Sequence, residues 1–389
     1  MMIMQIDAEK LLEAGKPLPK YLQLRESLLR HFQDQHYQAD QKISSENELI
    51  ELFGVSRITV RQALAELVNE GVIYKKHGSG SFFSGKTADM PHLSHLIGVL
   101  TPRITYYIYP FIIQGIDDVA RGKRYNIVLG NTSADPEKEV LCLRQLLEKP
   151  IDGLLFEPTG GYHDLRDAEI FRMLQTLTIP VVLMDWAIDE FNFSYVSPDD
   201  FEGGLRATNY LIQAGHRRIA FIYPHDKIPG QQRYDGYRKA LENNGIAYEK
   251  RFDKTIAGAL WDEAGSIEKL VKELLDLGTE RPTALFFFND DAALRAYAVI
   301  SAAGLKIPDD LSVVGYDDSA FAARAEAPLT SVAHPKYHIG KWAAEILFEQ
   351  IEQQEQRSPS RMILKPTIAE RKSVKSLISN ELFTQTKLL

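Results

Sequence analysis

The chain has 389 residues, 44% hydrophobic and 25% charged, which excludes a disordered protein and leaves room for two or three domains with their own cores. A net charge of -8 excludes a protein that coats nucleic acid nonspecifically, although a local site can be positive when the total is not. A single cysteine, Cys142, excludes an internal disulfide and any cysteine-rich zinc site.

Cys142 lies in the apolar helical pattern "EVLCLRQLL", where a small buried thiol in a reducing cytoplasm is the expectation. The N-terminus lacks an uncharged apolar run of signal-peptide length. No segment approaches the roughly 18 consecutive apolar residues of a spanning helix. The expected protein is soluble, unexported and cytoplasmic, with no membrane partner. Residues 1–86 hold 11 Lys+Arg and 11 Asp+Glu, so the acidic surplus lies entirely beyond them.

In chain order, residues before about 86 read as three helices and two short strands. In "SENELIELFG", Ser45 and Glu48 stand at capping-box spacing, so a helix begins there and stops at Gly54. In "VSRITVRQAL", Ser56 serves as N-cap, and Val60, Ala63, Leu64, Leu67 and Val68 form one apolar face, leaving Arg57 and Arg61 on another. Two helices joined by a tight glycine turn make a helix-turn-helix. "GVIYKKHGSGSFF" adds a β-ribbon in which Lys75, Lys76 and His77 lead into a glycine-rich tip, completing a winged helix.

A guanidinium near the start of a helix in the major groove forks onto guanine O6 and N7; Ser56 and Thr59 suit phosphates or base edges. A glycine-rich tip approaches the backbone closely, with His77 free to donate. An arbitrary arginine pair at this spacing reads more simply as a solvated face. The order of cap, turn, helix and basic wing favours the DNA-binding reading.

After "SGKTADMPHLSH", with Gly85 and Pro91, the pattern alternates. Apolar runs "LIGVL", "NIVLG", "DGLLF" and "PVVLMD" are separated by helical patterns such as 135–149 and 165–177; "RRIAFIY", "TALFFF" and "LSVVGYDD" follow. This predicts parallel sheets covered on both faces. The region is too long for one sheet, so two doubly wound lobes with a cleft are expected.

Over residues 17–84 the chain resembles the N-terminal winged helix of the GntR family of bacterial regulators, on "PKYLQLRESL" and "ISSENELIELFGVSRITVRQALAELVNEGVIYKKHGSGSFF". The resemblance implies DNA contacts by Glu46, Ser56, Arg57, Thr59, Arg61, His77 and Gly78. Asn47 stands where the family usually has a basic residue, and Ser44 replaces the usual proline. Residues 95–373 are similar to the effector domain of the lactose-repressor family, a relative of periplasmic sugar-binding proteins. "IGVL", "YLIQAGHRRIAFI", "QRYDGYRKAL", "FFND", "IPDDLSVVGYDD" and "APLTSV" carry that similarity. The combination, with "YYIYPFIIQGID", resembles arabinose-responsive repressors.

The expected architecture is therefore multidomain. An N-terminal winged helix-turn-helix (α+β) at 1–85 is followed by a linker at 86–94. A two-lobed α/β periplasmic-binding-protein-like domain with doubly wound parallel sheets spans 95–373, and 374–389 form a tail. Lobe 1 covers about 95–197 and 334–363; lobe 2 covers about 198–333 and 364–373.

Polyols are bound by planar, bidentate groups and an aromatic face. Asp185, Arg233, Asn289 and Asp317 lie at carboxyl ends of predicted strands or in the loops beyond, where open α/β sheets bind ligands. The resemblance assigns these four to ligand contact, with Trp261 as the stacking ring. Taken alone, Asp317, Asp318 and Asp290 equally read as helix caps and Trp261 as core. Tyr107 and Tyr109, after the first strand, read as lid residues or as packing. His216 in "AGHRRI" reads as structural.

The chain lacks a P-loop, a GxGxxG after a strand, a G-x-S-x-G elbow and metal-ligand clusters, so no catalytic residue, metal or cofactor is expected. A transporter's binding protein would require a signal peptide and no winged helix. The expected function is a homodimeric repressor, cytoplasmic and nucleoid-associated when bound to operator DNA. It is released by a small sugar, L-arabinose first by resemblance, with another monosaccharide or a nucleobase as the alternative.

Overall fold

A computed structural model describes residues 20–76, 79–85, 93–160, 168–352 and 358–378. The chain forms two compact units, Met1–His92 and Leu93–Leu389.

The first unit is built from α1 (Lys20–Asp34), α2 (Glu46–Phe53), α3 (Arg57–Asn69), β1 (Ile73–Lys76) and β2 (Gly80–Phe83). The Ser45 hydroxyl accepts from the Glu48 amide while the Glu48 carboxylate accepts from the Ser45 amide, so both orphan donors are satisfied. Gly54 ends α2 at φ 60°, a left-handed conformation that lets α3 start within three residues. Ser56 caps α3 by accepting from the Thr59 amide at 3.2 Å. Val60, Ala63, Leu64 and Leu67 turn inward onto Leu24, Leu28 and Phe32 of α1 and Leu49 and Phe53 of α2. β1 and β2 pair antiparallel, Ile73 opposite Phe83 and Lys76 opposite Gly80.

The second unit opens with β3 (Leu96–Thr101), α4 (Tyr109–Gly122), β4 (Asn126–Asn131), α5 (Pro136–Leu147), β5 (Gly153–Phe156), α6 (Glu169–Gln175), β6 (Val181–Met184) and β7 (Ser194–Pro198). It continues through α7 (Asp200–Gln213), β8 (Ile219–Pro224), α8 (Ile228–Asn243), β9 (Asp253–Ile256), α9 (Ser266–Leu275), β10 (Ala284–Phe287), α10 (Asp290–Ala302), β11 (Ser312–Tyr316) and β12 (Thr330–Ala333). It closes with α11 (Lys336–Glu352), β13 (Arg361–Leu364) and β14 (Thr367–Ala369).

Two six-stranded sheets result, ordered β13-β7-β6-β5-β3-β4 and β14-β12-β11-β10-β8-β9. Strands β5, β6, β8, β10 and β11 are buried along their whole length, as apolar runs in a doubly covered sheet must be. The chain passes between the sheets three times: after β7, after β12 and after β13. Helix α11 returns to the first sheet, where Ile339, Leu347 and Phe348 join Leu155, Val182 and Met184 in one core.

Three local expectations are corrected. The run "NIVLG" forms β4, but β4 is an edge strand with exposed Asn126, Leu129 and Asn131, because nothing pairs beyond it. The second sheet is not wholly parallel: β14 runs antiparallel to β12, with Val332 opposite Ile368. Cys142 is only partly buried on α5, its thiol donating to the Asn131 carbonyl at 3.4 Å.

Candidate functional site

In the head, α3 presents Arg57 and Arg61 on its exposed face. Both are held from α2: Arg57 Nη2 donates to Asn47 Oδ1 at 2.8 Å and Arg61 Nε to Glu46 Oε2 at 3.0 Å. Glu46 thus accepts from an arginine and lies 4.0 Å from Lys75 Nζ, a place that orients cations. Ser56 and Thr59 hydroxyls are 2.8 Å apart. Lys75 and Lys76 are exposed on β1, with the Lys76 ammonium 4.9 Å from the Phe82 ring centre. His77 and Gly78 lie outside the described residues. Asn47, which departs from the family's basic residue, is the partner of Arg57, a relationship that only the fold reveals.

In the second unit, the carboxyl ends of both sheets face one cavity of about 110 Å³. Asp185, Arg233, Trp261, Asn289, Asp317 and Tyr109 all border it. Asp185 follows β6 and Asp317 follows β11, at φ 65° and 104°. Left-handed backbone costs a non-glycine residue energy, and the two corresponding positions in two sheets both accept that cost.

Arg233 sits at the crossing of α7 and α8. A Cβ on Gly204 would lie 2.1 Å from the Arg233 carbonyl, so glycine lets the helices touch there. Its Nε donates to Asp200 at 2.7 Å and its Nη1 to the Phe288 carbonyl at 2.5 Å. The guanidinium lies 3.4 Å from the Tyr316 ring centre and 4.4 Å from that of Phe288. Burial works against its charge, yet Asp200 holds its pKa above the ordinary value.

Asn289 caps α10 through Oδ1, which accepts from the Ala292 amide at 3.0 Å, while its Nδ2 donates to Tyr106 at 2.7 Å. Tyr107 does not border the cavity; its hydroxyl donates to the Asp317 carboxylate behind the wall. Tyr109 donates to Glu157 Oε1 at 2.8 Å. Trp261 is 3% exposed and meets Phe288 edge-on.

Other cavity residues escape the sequence reading: Arg103, Tyr106, Glu157, Lys227 and His334. Glu157 directly follows the run "DGLLF" and obeys the strand-end rule, so that signal was present; His334 directly follows β12, a strand too polar to stand out. His334 Nε2 meets Asp185 Oδ1 at 2.6 Å. Burial opposes ionisation of Asp185, but His334 and Arg233 hold its pKa below the usual range. Burial and the Asp185 charge push Glu157 well above the usual carboxylate range. Burial lowers Lys227 and raises Asp317.

Glu157 Oε2, Trp261 Nε1 and His334 Nδ1 are buried and have no hydrogen-bond partner among the described residues. Buried polar atoms are normally satisfied, so three unpaired ones around one cavity define a place for a small polar molecule. His216 lies elsewhere: it is 2% exposed, with Nδ1 3.0 Å from Thr283 Oγ1, and burial lowers its pKa to about 4.

A winged helix followed by a two-sheet domain with a polar cleft is the architecture of a ligand-responsive transcriptional regulator. Residues 9–83 match the bacterial regulatory proteins of the gntR family and residues 208–374 match the periplasmic binding protein-like domain. The chain is 35% identical to the arabinose metabolism transcriptional repressor of Geobacillus stearothermophilus, over 93% of this chain and 99% of that protein. Against the repressor of that name from Halalkalibacterium halodurans, identity is 33%, over 80% and 84%. The chain belongs to this family of DNA-binding transcriptional repressors, with a GntR-type head and a lactose-repressor-type body. The solved complex of the transcriptional regulator CelR with cellobiose superposes with a TM-score of 0.64 at 28% identity, over 82% of this chain and 91% of that one. Among the described residues no helix is long and apolar enough to cross a membrane.

Proposed function

We propose that this repressor is released from its operator when a monosaccharide, L-arabinose first, enters the cleft between the two sheets. The observation that carries the reading is the set of unpaired polar atoms of Glu157, Trp261 and His334 around one cavity with Arg233, Asn289 and Asp185. Hydroxyl groups both donate and accept, so they suit a wall that mixes a carboxylate, a guanidinium, an indole N–H and an imidazole. The relatives' name supplies the pentose.

In this reading Arg57, Arg61, Ser56 and Thr59 contact the operator, Glu46 and Asn47 position the two arginines, and Lys75, Lys76, His77 and Gly78 serve the backbone. The protein works in the cytoplasm as a homodimer reading an inverted repeat, and it neither catalyses a reaction nor needs a cofactor. Sugar favours one arrangement of the two lobes and operator another; a few kcal/mol of differential affinity moves the balance.

Calorimetric titration of the purified chain against pentoses, hexoses and nucleobases, with operator binding followed in parallel, tests the proposal. L-Arabinose is expected to bind and to release DNA. Binding of a purine with no response to any sugar would end the arabinose reading.

A further inference from the structure

Helix α3 carries an outward residue that none of these roles uses. Ile58 is 78% exposed, more than any other large hydrophobic side chain among the described residues. A lone surface isoleucine ordinarily needs no explanation. Its surroundings give this one a role.

The core face of α3 is Val60, Ala63, Leu64 and Leu67; the exposed positions are Arg57, Ile58, Arg61, Gln62, Ala65 and, at the far end, Asn69. Positions 58, 61 and 62 are helical neighbours. No acidic residue occupies the first turn, and the two arginines beside Ile58 are held in place by Asn47 and Glu46. The isoleucine therefore projects beside Arg61, one residue after Arg57, from the exposed side of a helix whose two arginines are pre-arranged, a surface suited to a polyanion.

An aliphatic side chain cannot bond a phosphate, nor the donors and acceptors of a base edge. The one apolar group that the major groove displays is the thymine C5-methyl. Resting on the reading of α3 as the recognition helix, we propose that Ile58 packs on the C5-methyl group of an operator thymine and so selects T over C at one position of each half-site. Arg57 and Arg61 bring the helix to the groove and read guanine; Ile58 adds a contact that depends on a methyl group alone.

The test begins with the full chain and a random pool of duplexes, from which repeated selection enriches an operator. Each thymine is then exchanged for uracil, which removes only the methyl group, and affinity is read by fluorescence anisotropy at fixed salt. One exchange per half-site should weaken binding by the parent about fourfold, equivalent to about 0.8 kcal/mol for one buried methyl-sized group. Ile58→Ser should bind the thymine and uracil duplexes equally, and Ile58→Val should keep most of the discrimination; the site is exposed, so folding is unaffected. A parent indifferent to every exchange, or an Ile58→Ser variant that still discriminates, overturns the proposal while leaving the repressor reading intact. Failure to enrich any sequence would overturn both.

Discussion

Asn289 Nδ2 donates a hydrogen bond to the Tyr106 hydroxyl at 2.7 Å, tying the loop after β3 in one lobe to the end of β10 in the other. Arg103 and Asp262 make a second tie at 2.6 Å. Both bridge the cavity that they border, so both can form only when the lobes are close. Tyr106→Phe should therefore weaken sugar binding about 2- to 10-fold, the range expected for one net hydrogen bond. Arg103→Ala should do less, and its effect should shrink with salt, because its pair is more than a third exposed. Calorimetry at two ionic strengths checks both; equal effects at both strengths would count against the second tie.

Arg233 and Asp200 form a buried pair, with 5% and 1% of their side chains exposed. Truncating one member strands the other's charge, at a cost of about 3–5 kcal/mol. Arg233→Ala should thus abolish sugar binding and also lower the melting temperature of the effector domain. The double variant Arg233→Met with Asp200→Asn should recover stability without recovering sugar affinity. Operator binding by the ligand-free protein should stay at parental strength in whichever variant folds. If the double variant binds sugar, Arg233 serves structure alone.

These residues also show how far the sequence was legible. Asp185, Asn289 and Asp317 stand out because each ends an apolar run long enough to be a buried parallel strand, and such strands deliver their last residue to the cleft. The capping box at Ser45 and Glu48 and the αL glycine at 54 are local chemistry, readable without a partner. Strands β7, β9, β12, β13 and β14 are short and polar in places, so periodicity does not mark them, and β13 and β14 find partners far back along the chain, in β7 and β12. The same distance hides His334, whose place beside Asp185 depends on the chain's second crossing. It also hides part of what raises the Glu157 pKa, which comes first from burial and then from the Asp185 charge at the end of the neighbouring strand. Asn47 looked like a departure from a pattern; only the packing of α2 against α3 makes it the acceptor for Arg57.

Two buried groups should give stability opposite pH dependences. Asp290 accepts from Ser331 Oγ at 2.6 Å and the Ser319 amide at 2.7 Å, and burial, with the nearby Asp317 charge, pushes it up to about 7. Between about pH 4 and 7 the folded protein keeps a proton that the unfolded chain releases, so this group makes stability fall as pH rises. His216, lowered to about 4 by burial, stays neutral where the unfolded chain is protonated, so below about 6.5 it makes stability fall as pH drops. The contributions of these two groups should offset each other between about pH 4 and 6.5. Relative to the parent, Asp290→Asn should tilt the pH profile toward stability rising with pH across that window, and His216→Gln toward stability falling, each by up to about 1.4 kcal/mol per pH unit. Urea unfolding of parent and variants at several pH values reads the signs; changes of slope of one sign in both variants would refute the assignment.

The arginines of α3 should separate specific from general DNA binding. Arg57→Ala or Arg61→Ala should cost about 1–3 kcal/mol on the selected operator and leave sugar affinity unchanged, as loss of a bidentate guanine contact requires. Glu46→Gln should act in the same direction but more weakly, because it loosens Arg61 without removing it. Lys75→Ala or Lys76→Ala should instead weaken binding to every sequence alike and reduce the salt slope by about one, the signature of a lost phosphate contact. The discriminating measurement is a gel-shift titration on operator and scrambled duplex at several salt concentrations. Arg57→Ala binding the operator like the parent would mean that a different face of α3 enters the groove.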